Sequence, residues 1–173
     1  MTAVRMILPV KLSDHFFFEK NEVVLNPDRY LEEGNFFAQE ILFYSGEERN
    51  DFPWDHEEHS VSEVLAAWNE VQGMLKERFK SRDATAHIAM KKGIALFYMI
   101  LFWGNSHPVV LNGWKLQIKD LSLKPVNIEE RLSFIKENPH LYHSYVQLAS
   151  LFQEQHKQFA KDRAMRHLNK YKK

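Results

Sequence analysis

Val61, Val64, Leu65, Trp68, Val71, Leu75 and Phe79 recur at intervals of three and four, one apolar stripe near the 3.6-residue period. The stripe predicts an amphipathic helix from Ser60 to near Arg82. The next helix opens around Asp83, is amphipathic through Ile88, and becomes apolar on every side from Ile94 to Trp103, the pattern of a helix sheathed by others. Leu141, Tyr145, Leu148, Phe152 and Phe159 continue toward Leu168 and predict a C-terminal helix of about 30 residues, its last two turns exposed. Upstream, Tyr30, Phe37, Ile41 and Tyr44 predict a helix ending at Gly46, a residue type common just past helix C-termini.

Helix starts are signposted locally. Asn26-Pro27 and Asn138-Pro139 each set an N-cap asparagine before a proline, whose missing N–H costs nothing at the first helical position. Ser60 with Glu63, and Asn127 with Glu130, have capping-box spacing. Val109–Ile118 reads two ways: Asn112-Gly113 between apolar runs is a hairpin signal, while Trp114, Ile118 and Leu121 fit a helix. No other segment offers strands to extend a hairpin that is marginal alone, which favours a short helix from about Gly113. The expected fold is all-α: a single domain over residues 1–173 with six or seven helices around the Ile94–Trp103 segment.

A chain of 173 residues without cysteine must fold on its apolar core, and disulfides, thiolate nucleophiles and cysteine-ligated metals are excluded. MTAVRMILPVKLSDH has a short apolar run broken by Pro9, unlike a signal peptide, so a cytoplasmic protein is expected. GIALFYMILFW, Gly93 to Trp103, is short of the roughly 20 residues that span a bilayer, and a buried core helix with no membrane partner is the reading.

Charge cancels overall but not locally. Glu19–Glu70 carries 14 acidic and 3 basic residues, whereas His156–Lys173 carries 7 basic and 1 acidic. Lys157, Lys161, Arg163, Arg166, Lys170, Lys172 and Lys173 form a candidate nucleic-acid contact, supplemented by Lys76, Arg78, Lys80, Arg82, Lys91 and Lys92. The blander readings are a solvated helix end, where cations suit the dipole, or docking onto the acidic half.

Catalytic and metal templates do not fit. His140 and His143 share a helix side, and Glu137 precedes His140 by three, but a di-iron bundle needs a second Glu-x-x-His and none is present. In PWDHEEHS, His56 and His59 are three apart rather than the four of a zinc-protease motif. Glycine-rich phosphate loops and the Gly-x-Ser-x-Gly elbow are absent. An enzyme acting on an acidic ligand is therefore unsupported, and no metal or cofactor is expected.

KKGIALFYMILFWGNSHPVVLNGW and KPVNIEERLSFIKENPHLYHSYVQL, through GIALF, LFWGN, PVNIEERLSFI and YHSYVQL, resemble the YpoC-like family of uncharacterised bacterial proteins over roughly residues 90–151. The resemblance implies a small all-helical cytoplasmic protein without assigned activity, and it carries no catalytic residue with it. It singles out Asn105, Arg131, Tyr142 and His143, polar or mixed groups set in the matching apolar segments, as a candidate shared surface. The leading expectation is a non-enzymatic module that binds another protein, with nucleic acid as the alternative partner.

Overall fold

Residues 2–49 and 51–172 are described by a computed structural model. Among them six α-helices carry the fold: α1 (Ala38–Tyr44), α2 (Glu57–Lys80), α3 (Ala86–Trp103), α4 (Trp114–Gln117), α5 (Ile128–Glu137) and α6 (Tyr142–Tyr171). The helix α3 is the centre. From Gly93 to Trp103 every residue is buried, so the apolar run is enclosed by protein, although by length and composition alone the helix could cross a bilayer. Helices α2 and α6 pack on α3, and α5 packs on α6. Where the first three meet, Trp68 stacks on Phe152 at 4.1 Å, and a Cβ at Gly93 would lie 2.9 Å from the Trp68 ring and 3.0 Å from Leu148. Glycine at that position is what lets the helices approach.

The N-terminal segment departs from the all-helical expectation. Val4–Ile7 (β1) and Glu22–Leu25 (β2) pair antiparallel, with Val4 opposite Leu25 and Ile7 opposite Glu22. Four-residue strands joined through residues 8–21 give neither a long alternation nor a tight-turn signature, which is why they escape periodicity. They hold because Val4, Met6, Val23 and Leu25 face the core, and because Phe17 sets its ring edge-on to Phe37 at 5.1 Å and to Tyr98 at 5.9 Å. The chain stays predominantly helical.

Several helix boundaries also move. The helix expected from Tyr30 begins only at Ala38, because Gly34 and Phe37 adopt left-handed φ of 87° and 61°; Gly46 closes it as expected, at 84°. Asn26 caps Pro27, its Oδ1 accepting from Asp28 N at 3.1 Å, but the result is a single 3-10 turn. The α2 start lies at Glu57, so Ser60 is a buried residue within the first turn rather than a cap, and its hydroxyl donates to Glu57 O. Asn127 precedes α5 as expected, but at φ 55° its side chain caps nothing. Asn138 closes α5 instead of opening α6, which leaves Pro139 and His140 in the connection. Val109–Ile118 is not a hairpin. Leu111 N and Asn112 N both donate to Lys11 O at 3.0 Å, and Gly113, at φ 77°, starts α4.

Among the described residues one carboxyl side chain, that of Glu40, is fully enclosed. Glu40 on α1 accepts from Trp103 Nε1 at 2.7 Å and Val109 N at 3.0 Å through Oε2, while Oε1 has no partner. Burial pushes its pKa up to about 7 against the opposing pull of those two hydrogen bonds.

Candidate functional site

At the α5–α6 corner, Asn138 N and Nδ2 both donate to Phe134 O at 3.0 Å, ending α5, and Leu141 in extended conformation leads into α6. The last long helix then runs back along α5. Arg131 fastens the two: its guanidinium grips Glu154 in a fork at 2.9 Å on both arms and also donates to Ser150 Oγ at 3.2 Å and Val126 O at 3.0 Å. The hydrogen bond from Arg131 is the main influence holding the Glu154 carboxyl below its ordinary range. Asn105 stands away from this corner, at the end of α3. It donates to Leu101 O at 2.7 Å and Leu123 O at 2.8 Å, and accepts from Leu123 N at 2.9 Å. The polar groups of Asn105 and Arg131 are thus engaged within the fold.

Tyr142 and His143 stand differently. Tyr142 is 61% exposed and meets Phe79 of α2 edge-on at 5.6 Å; Val146, one turn along the same face, is 44% exposed. On the other flank His143 meets Phe134 of α5 at 5.8 Å and closes a shallow hollow of about 190 Å³ with Glu130, Arg131 and Gln147. The first turns of α6 therefore present an apolar, aromatic-edged strip between α2 and α5, bordered by Leu141 and Phe134. Arg131 and His143 come together in that hollow, whereas Tyr142 lies on the opposite flank against Phe79. Leu141, expected on the core stripe, lies at the surface because the helix begins after it. Val146 was legible as an apolar residue off the stripe of Tyr145, Leu148 and Phe152; Phe134 carried no such signal.

At the other end of α6 the core-facing stripe turns basic. Phe159 is its last buried ring, and Arg163 lies over it at 4.6 Å, bonding Asp162 at 2.7 Å and reaching Glu57 at 3.6 Å. Arg166 pairs with Asp162 at 2.9 Å. With His167 and Lys170 they face Asp55, His56, Glu57, Glu58 and His59 across an open pocket of about 520 Å³. The basic tail and the acidic stretch before α2 meet. Burial raises the Glu57 pKa, but a hydrogen bond from Ser106 and the charges of Arg163 and Arg166 outweigh it and leave the carboxyl below its usual range. Lys157, Lys161 and Lys172 remain exposed on the outer face, and Lys173 lies outside the described residues. Lys76, Arg78 and Lys80 sit at the far end of α2, about 29–35 Å from Glu57 at 1.5 Å per residue, with Arg82 just past it and Lys91 and Lys92 following on α3. The basic residues do not form one continuous surface.

The histidines face separate partners. His56 pairs with Asp51, and His59 Nε2 lies 3.0 Å from Glu63 Oε1, while His140 and His143 are exposed. Among the described residues, no three His, Asp or Glu side chains converge on a site for a metal ion.

Comparison with known proteins points one way. A family model described as YpoC-like protein matches residues 58–167. The uncharacterized protein YpoC of Bacillus subtilis (strain 168) is 32% identical over 119 residues, 68% of this chain and 73% of that protein. No solved structure matches the chain. The matched residues contain the whole α5–α6 corner, and the family match begins well upstream of the segments that carried the resemblance in the sequence.

Proposed function

We propose that this chain, which belongs to the YpoC-like family, is a non-enzymatic protein-interaction module that offers the first turns of α6 to another protein. One observation carries the reading: Tyr142 and Val146, neighbours on one helical face, stay exposed between flanking rings of Phe79 and Phe134. A strip of that kind suits association, since aromatic groups are enriched at interface centres and lose little side-chain entropy on burial. The polar groups around it support the same reading. Arg131 and Glu154 spend their charges on each other, so the corner is braced rather than poised for chemistry.

The nucleic-acid alternative draws less support. Arg163 and Arg166 are held by acidic neighbours, and the two basic groups lie at opposite ends of α2. The interaction reading is tested by capturing partners from native lysate with the tagged full chain and with Val146→Asp, whose exposed position lets the fold stand. The expected result is a stoichiometric partner retained by the native chain and lost from the variant. Recovery of no stoichiometric partner, or equal recovery by both chains, overturns it.

A further inference from the structure

A second site lies where the N-terminal hairpin meets the start of α3. Phe17, Phe18, Val23, Phe36 and Ile88 enclose a recessed apolar pocket of about 300 Å³, with Glu33 and Lys91 at its rim. That volume is at the small end of ligand pockets, which run from about 300 to 1,000 Å³. Its walls come from three parts of the chain: the hairpin, the loop turning at Gly34 (φ 87°), and the first turns of α3. The two rim charges are not equivalent. Glu33 is exposed on the loop, whereas Lys91 is half-buried, and its ammonium has no hydrogen-bond or ion-pair partner among the described residues. An unpaired cation beside an apolar hollow favours a ligand that brings a negative group to the rim and an apolar body to the interior.

We infer that this pocket binds a small amphipathic monocarboxylate, its apolar tail between Phe17, Phe18 and Phe36 and its carboxylate on Lys91. Most of the lining precedes residue 58, so the pocket lies largely outside the segment that the family match covers. It is independent of the partner surface on α6.

Octanoate, octanol and octylamine, which share a tail and differ in the head, provide the test. Each is titrated into the full chain while the methyl signals of Val23, Val24 and Ile88 are followed by NMR. Octanoate is expected to bind saturably at one site and about fivefold or more tighter than octylamine, the size of one half-exposed charge contact. Lys91→Gln removes that preference and Lys91→Arg keeps it. Phe36→Trp, which fills the hollow, abolishes binding of all three with an unchanged circular dichroism spectrum. Absence of saturable methyl shifts, an equal or stronger response to octylamine, or an unchanged preference in Lys91→Gln each overturns the proposal.

Discussion

Lys136 Nζ on α5 lies 2.8 Å from Asp14 Oδ2 in the segment between β1 and β2, with side chains only 13% and 10% exposed. The ammonium also sits 5.3–5.8 Å from the ring centres of Phe16, Phe17, Tyr98 and Trp114. One cation thus ties the N-terminal segment to α3, α4 and α5. Removing either partner leaves the other charge enclosed and unpaired, so Lys136→Met and Asp14→Ala are each expected to cost about 3 kcal/mol. The double variant Asp14→Ala/Lys136→Met is expected to lose less than the sum. Urea unfolding midpoints of the three proteins check this, and additive losses would show that the ion pair is not the link.

This contact marks the limit of what the sequence reveals. Local and periodic features were legible: the stripe from Val61 to Phe79 gives α2, the all-round apolar run gives α3, and Gly46 and Gly113 stand where their backbone angles require. Asp14 and Lys136 are far apart in sequence and belong to no motif, so nothing local pairs them. The hairpin strands are legible only through their partner, and Asn138-Pro139 misled because asparagine closes a helix as readily as it opens one. For the site, Tyr142 and His143 could be singled out, but that Arg131 is consumed by Glu154 depends on α6 doubling back along α5.

Glu40 predicts a pH dependence. Its folded pKa of about 7 lies above the ordinary 4.5, so the folded chain holds the proton that the unfolded chain releases. The stabilising contribution is complete below 4.5 and is lost as pH rises through 7, a fall of about 3 kcal/mol over that window. Tyr30 and Tyr44 face the same carboxyl but remain neutral throughout. Glu40→Gln should flatten this portion of the stability profile, measured by chemical unfolding across the window. A variant that retains the slope would assign it elsewhere.

Two glycines should respond oppositely to alanine. At Gly93 the added methyl meets Trp68 and Leu148, so Gly93→Ala is expected to destabilise by about 1–3 kcal/mol. At Gly73, within α2, nothing lies within 4 Å, and Gly73→Ala is expected to stabilise by about 0.5–1 kcal/mol through helix propensity. Thermal unfolding of both variants checks the sign of each.

Nucleic-acid binding should be weak. With Arg163 and Arg166 engaged, five of the seven basic tail residues, Lys157, Lys161, Lys170, Lys172 and Lys173, are left to meet phosphates, and the slope of log affinity against log salt should be no steeper than about −4.5. Fluorescence anisotropy with single- and double-stranded DNA, on the full chain and a truncation after Phe159, measures it. A slope of about −6 or steeper that vanishes on truncation would restore the tail as a phosphate-tracking arm.

The claim that the first turns of α6 form a partner surface is tested most directly by placing a photo-crosslinking phenylalanine analogue at Tyr142, and in a second protein at exposed Lys119, and irradiating each in the native host. One discrete adduct is expected from position 142, containing a different protein, and none from position 119. Equal labelling at both positions, or no adduct at 142, would contradict it.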